Sequence, residues 1–183
     1  LLVAFGRMSK NGIIRMISKI YISVLRGTPL MLQLIVVYFA PFYVFHLKVG
    51  NYRFPAIIIA FALNYAAYFA EIYRAGIESM PVGQYEAARV LGYSRLQTFV
   101  RIILPQVIKR ILPSITNEVI TLVKDTSLAF VLAVTEMFTL AKQVAAAQTT
   151  IVPLMAAGVF YYLFNLLVAF VMETLEKKMA YYR

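Results

Sequence analysis

The sequence predicts an all-α protein that crosses a membrane several times, and three observations carry that prediction. Of its 183 residues, 62% are hydrophobic and 14% charged, whereas soluble domains run at roughly 45–50% and 25%. Too few polar residues remain to face water on every side, and the mean hydropathy is +0.77. The apolar residues gather in four stretches, about 28–47, 54–73, 111–134 and 152–173; a helix needs roughly 20 such residues to cross a hydrocarbon core of about 30 Å. The basic residues are unevenly divided. Fourteen of eighteen fall in residues 1–27, 74–110 and the C-terminal segment, and three in the connections 48–53 and 135–151. Cytoplasmic loops collect Lys and Arg, so the formal charge of +10 is an orientation signal rather than a mark of nucleic-acid binding. The cytoplasmic side then holds 1–27, 74–110 and the C-terminus.

Taken in order, Leu1-Leu2-Val3-Ala4-Phe5 reads as the last turn of an apolar segment and runs into the basic stretch Arg7, Lys10, Arg15, Lys19 and Arg26. The four long stretches follow, with Pro29, Pro55, Pro113 and Pro153 each expected near a helix start, where a missing N–H does no harm. Thr28 is placed to cap the first of them. His46 beside Lys48 reads as a solvated residue at the outer end of its span, and Tyr181 and Tyr182 as part of an interfacial belt. No internal repeat is visible.

Residues 74–110 form the one long hydrophilic segment, too short for a catalytic domain. Glu86, Ala87, Ala88, Leu91 and Leu96 at helical spacing predict a small amphipathic helix, with Arg89 and Arg95 available to water. Gly92 can take the left-handed conformation that ends it, and Ser94 is placed to cap a second short helix. By composition alone this would be a helix lying on lipid headgroups, held by Arg89, Arg95 and Arg101.

The spacing of Glu86-Ala87-Ala88, Gly92 and then Ile102, Leu104 and Pro105 resembles the cytoplasmic-loop signature of permease subunits of bacterial ABC importers. The stretch Arg26-Gly27-Thr28-Pro29-Leu30 with Gln33 is similar to the opening of the second span in the polar amino-acid permeases (histidine, arginine, glutamine, cystine). Asn64 to Ile77 is similar to their third span and its exit. The resemblance implies an importer-type permease fold in the bacterial cytoplasmic membrane, with four of five spans present and the first missing. It also implies that Glu86, Ala87, Ala88, Gly92, Ile102, Leu104 and Pro105 couple the chain to an ATPase dimer that binds ATP and Mg. A second permease subunit, identical or related, an extracytoplasmic amino-acid-binding protein and membrane lipid are the other implied partners. The chain itself needs no cofactor.

Polar groups inside the spans are the candidate route. Ser114, Asn117, Glu118, Thr121, Lys124 and Asp125 fall within about 120° of arc at 100° per residue. A lipid-facing Lys or Asp near mid-bilayer would cost about 2.5–3.5 kcal/mol, so this face meets protein or water. Either Thr121, Lys124 and Asp125 meet substrate, or Lys124 pairs structurally with Asp125, Glu118 or Glu71. Asn64, Tyr68 and Glu71 share a face of the preceding span, where Asn64 either lines the route or makes an interhelical hydrogen bond. Glu71 reads as an ion pair with Arg74. Leu30 opens the first long stretch and is the remaining pathway candidate.

The absences set the competing classes. There is no G-x-x-x-x-G-K-[ST] loop, so the chain has no phosphate cradle of its own. Neither a G-x-S-x-G elbow nor an H-E-x-x-H pair is present, and one His and no Cys build no metal site. A membrane enzyme is left without reactive groups. An ion-coupled secondary carrier using Glu118, Lys124 and Asp125 is the alternative to the ATP-driven permease; carriers of that kind are often built from inverted repeats.

Overall fold

A computed structural model describes residues 1–47 and 52–179 and contains no strand among them. Lys48, Tyr181, Tyr182 and Arg183 lie outside the described residues. Among the described residues nine α-helices follow one another: α1 (Leu2–Arg7), α2 (Gly12–Gly27), α3 (Leu30–Phe45), α4 (Arg53–Glu78), α5 (Val82–Val90), α6 (Arg95–Thr98), α7 (Leu104–Asp125), α8 (Met137–Ala147) and α9 (Val152–Met179).

α4 is the central helix, and small residues make it so. Ala56, Ala60, Ala67 and Ala70 are at most 1% exposed and recur at helical spacing along one side. Lipid supplies no hydrophobic drive between spans, so close backbone approach across small side chains is the main source of packing attraction. Ala56, Ile57 and Ala60 meet Leu34 of α3 with Ala129 and Leu132. Ala67 and Ala70 meet Ala4 of α1 and Ile22 of α2. At its far end α4 crosses α7, where Met80, Ile103, Val107 and Ile111 form a third cluster. α9 packs on α7 and α8 and leaves most of its apolar surface outward, only 6% of its most apolar window being buried. Polar ties add to this packing: Thr116 Oγ1 donates to Glu176 Oε1 at 2.8 Å, and the Tyr161 hydroxyl bonds with Thr126 and Glu136.

α4 and α9 are each long and apolar enough to cross a membrane, and they cover 54–73 and 152–173. The other two expected stretches differ from straight spans. α3 has 16 residues, about 24 Å at 1.5 Å per residue, and turns by 112° from α2. The 111–134 stretch changes character at Asp125, beyond which Thr126–Leu132 is 3-10 helix. There Thr126 and Ser127 donate to the carbonyls of Val123 and Lys124 at 2.7 and 2.8 Å, and hydroxyls bonding back three residues tighten the turn. Ala133 is left-handed, φ 53°, and the helix continues as α8 after a 61° bend. The connection 135–151 is thus largely helical: Glu136 caps α8 by accepting from the amides of Phe138 and Thr139 at 2.7 and 2.6 Å.

Three of the four prolines stand at helix starts, Pro29 at the N-cap of α3 and Pro55 and Pro153 in first turns. Pro113 does not, because α7 begins at Leu104 and carries it in its interior. The earlier start has its own proline. Pro105 has no N–H for the Arg101 carbonyl and its ring crowds that carbonyl, and the backbone opens into a π turn over Phe99–Ile103.

Candidate functional site

The first polar centre lies where α2, α3 and α4 meet. Thr28 ends α2 with its hydroxyl donating to the Val24 carbonyl at 2.8 Å, rather than capping α3, whose N-cap is Pro29. Gln33 then folds back. Its Nε2 donates to the Leu25 carbonyl at 2.9 Å, the Thr28 carbonyl at 3.0 Å and Thr28 Oγ1 at 2.8 Å. Its Oε1 accepts from Asn64 Nδ2 at 2.9 Å, and the same amide reaches the Leu25 carbonyl at 3.2 Å. The orphan carbonyls at the end of α2 are thereby satisfied in a buried place. Asn64 is 4% exposed, so its amide serves the interhelical bond. Leu30, half-buried in the first turn of α3, takes no part in this network.

The second centre is the break in α7. The Tyr65 hydroxyl donates to Asp125 Oδ2 at 2.8 Å across the α4–α7 contact. Lys124 is exposed, and its ammonium lies within 4.0 Å of no carboxylate among the described residues. The structural pairings of Lys124 with Asp125, Glu118 or Glu71 are therefore absent. Thr121 is exposed on the preceding turn, its hydroxyl returned to the Asn117 carbonyl at 2.9 Å. Thr121, Lys124 and Asp125 are thus brought together, with Asn64 and Leu30 set apart from them.

Between α4 and α7 a cleft of about 470 Å³ is lined by Arg26, Tyr68, Glu71, Arg110, Ser114 and Glu118, among others. Arg26 stacks over the Tyr68 ring, 5.1 Å from its centre. Glu71 is bridged to Arg74 at 2.6 Å and approached by Arg7 at 3.8 Å, and Arg74 also pairs with Glu78. Arg110 donates to the Ser79 carbonyl at 2.6 Å, closing the end of α4.

The third centre is the loop after α4. Gly92 is left-handed, φ 77°, and the amides of Gly92 and Tyr93 return to the carbonyls of Arg89 and Ala88 at 3.0 Å each. This paired return is the Schellman arrangement in which glycine is favoured. Ser94 caps α6, exchanging bonds with Gln97 at 3.3 and 2.9 Å. Glu86, Ala87 and Pro105 are exposed and Ile102 and Leu104 half-buried. Ala88, expected beside them in the coupling contact, is 1% exposed and packed within the chain, where α5 meets α6 and the π turn. Sequence spacing put Leu91 and Leu96 in a small amphipathic helix; both are 72% exposed, beside Val90 at 88%.

Two roles were missed from sequence. Gln33 was noted only as part of a motif, and its value as a helix-end donor depends on the α2–α3 turn. Gly76 was passed over, yet a Cβ there would lie 2.3 Å from Ile111 Cγ2. The signal for both was present in the polar or small residue at a contact spacing.

The described residues thus form an all-helical bundle with an unpaired charge at a broken helix and an exposed apolar loop, an arrangement that suits a membrane translocation subunit. The chain belongs to the family of binding-protein-dependent transport system inner membrane components, whose model matches residues 1–181. It is 37% identical over 181 residues to a putative glutamine transport system permease of Rickettsia typhi, covering 98% of this chain and 82% of that one. It is 36% identical over 184 residues to the L-cystine transport system permease of Bacillus subtilis (100% and 77%). The arginine transport system permease of the same organism is 39% identical over 164 residues (89% and 74%). The crystal structure of an amino acid ABC transporter with histidines superposes with a TM-score of 0.86 at 31% identity, covering 97% of this chain and 82% of that one. The chain is accordingly a multi-pass inner-membrane permease of an ABC importer, a translocation component without a cofactor of its own, and ATP hydrolysis belongs to a separate subunit. The ion-coupled carrier finds no support among these relatives and is set aside.

Proposed function

We propose that this permease carries polar L-amino acids inward, and that the unpaired Lys124 beside Asp125 is the observation that bears the reading. A zwitterionic amino acid presents a carboxylate and an ammonium. Lys124 offers an unneutralised cation, and Asp125 an anion held in place by Tyr65, both at a break in a helix that apolar surroundings would otherwise penalise. Relatives named for glutamine, cystine and arginine fit that substrate class.

In this reading residues 1–183 are one transmembrane domain with crossings at about 28–47, 54–73, 111–134 and 152–173, and the C-terminus is cytoplasmic. Loop 74–110 is the coupling loop. Val90, Leu91 and Leu96 insert into an ATPase subunit, Glu86 and Ala87 border the contact, and Gly92 sets the turn. Two permease subunits enclose the route, two ATPase subunits close on ATP and push the loops, and an external binding protein delivers the substrate. The test is uptake into proteoliposomes holding the assembled complex, with binding protein outside and ATP within the compartment facing the ATPase, across a panel of amino acids. Accumulation that requires both ATP and binding protein is expected; accumulation driven by an ion gradient without ATP refutes the proposal.

A further inference from the structure

α2 has three faces: one packs on the bundle, one is exposed along its length, and one meets the bundle only at its C-terminal end. Its packing face holds Ile22, buried with Ala67 and Ala70, and Tyr21, whose hydroxyl donates to the Leu63 carbonyl at 2.6 Å. Ile13, Met16, Ile17, Ile20 and Val24 occupy a second sector about 100° wide, each between 52 and 69% exposed. Arg15, Lys19 and Arg26 share a third sector of about 40°. Arg26 is taken up by the Tyr68 ring. Arg15 and Lys19 are exposed, and no carboxylate among the described residues lies within 4.0 Å of either.

The 112° turn at Thr28 and Pro29 sets α2 nearly crosswise to α3. With α3 directed through the bilayer, α2 lies along its surface. In that plane an apolar sector enters the acyl chains while long cationic side chains beside it reach up to the headgroups. The phosphates of a zwitterionic surface are already balanced by their own ammonium groups, whereas an anionic surface offers net negative charge that complements two cations. The Gln33 bonds to the Leu25 and Thr28 carbonyls hold the orientation of this helix against the bundle.

We propose that α2 is a docking surface for anionic phospholipid, with Arg15 and Lys19 each engaging a headgroup phosphate and the Ile13–Val24 sector seated in the acyl layer. The inference rests on the membrane location of the family and not on the substrate assigned above.

The test uses the assembled importer. Binding of fluorescent phosphatidylglycerol is measured in nanodiscs of phosphatidylcholine, for the wild type, for Arg15→Gln/Lys19→Gln and for the charge-keeping Arg15→Lys/Lys19→Arg. A basic residue near an anionic surface contributes about fivefold in affinity, so the neutral pair should bind about 30-fold more weakly and the charge-keeping pair as the wild type does. Because the sequence has no cysteine, Ile17→Cys can carry a single spin label; it should be broadened by oxygen and shielded from an aqueous nickel complex. Equal phosphatidylglycerol affinity in the neutral pair overturns the proposal. So does a disulfide between two copies through Ile17→Cys, which would assign the face to protein contact. Amino-acid uptake by the same preparation reports the transport function separately, so an active importer indifferent to lipid charge refutes this inference alone.

Discussion

Replacing Gly76 by alanine tests whether the α4–α7 crossing sets the geometry of the bundle. The new Cβ would stand 2.3 Å from Ile111 Cγ2 and 3.1 Å from Val107 Cγ1. To reach 3.4 Å, where ordinary contact begins, the Ile111 methyl must move by about 1.1 Å. It has little freedom, since a β-branched side chain in a helix is held near one χ1 rotamer and Ile111 is buried among Met80, Ile103 and Val107. Overpacking of this kind costs about 1–3 kcal/mol, against about 1 kcal/mol gained from the better helix propensity of alanine. Gly76→Ala should therefore lose up to about 2 kcal/mol. Ile111→Ala alone should lose about 2–5 kcal/mol by leaving a cavity. In the double variant the added methyl enters the space that isoleucine vacated, so the two losses should fall short of their sum by at least about 1 kcal/mol. The assay is thermal denaturation in detergent, read as survival of the monodisperse chromatographic peak. A Gly76→Ala protein as stable as the wild type, with Ile111→Ala effects that simply add, would refute the crossing geometry.

Gln33→Leu should destabilise by about 1–3 kcal/mol, because it takes away the acceptor that the buried Asn64 amide bonds and the donor to the Thr28 carbonyl, whereas Gln33→Glu tests whether the acceptor side alone suffices; both are read by the same thermal assay. Gly92→Val forces a β-branched residue to φ 77°, a strain of about 1–3 kcal/mol. Since a Cβ there meets nothing within 4 Å, the loss should show as reduced ATPase co-purification rather than failed folding, and normal recovery with normal stimulated hydrolysis counts against the coupling role. Lys124→Ala should abolish amino-acid uptake while ATP hydrolysis by the complex persists; unchanged uptake kinetics would remove Lys124 from the route. Tyr65→Phe releases Asp125 and should raise the KM for uptake several-fold, with Tyr65→Phe at wild-type KM showing that the hydroxyl does not position the carboxylate.

The loop around Gly92 was legible because its signals are local. A left-handed glycine and a serine N-cap act on backbone within four or five residues, so sequence spacing is enough to read them. The break after Asp125 was not, although its cause is also local: Thr126 and Ser127 inside an apolar run could equally have faced a neighbour. Which option they take depends on the Tyr65–Asp125 contact, made across 60 positions of sequence.

Composition and charge asymmetry by themselves determined a helical protein that crosses a membrane, since water and lipid act on every residue regardless of its neighbours. The motif spacings determined the family and singled out the loop proposed to couple it. Only the tertiary structure decided the use of each polar group. Asn64 was diverted to Gln33, Ala88 was buried within the chain, and Lys124 was left without the partner that its neighbouring acid seemed to offer. The physical reason is that hydrogen bonds and ion pairs reach about 3–4 Å, so their partners are fixed by how helices far apart in sequence cross, and those crossings are set by small residues such as Gly76 whose role a single sequence does not display.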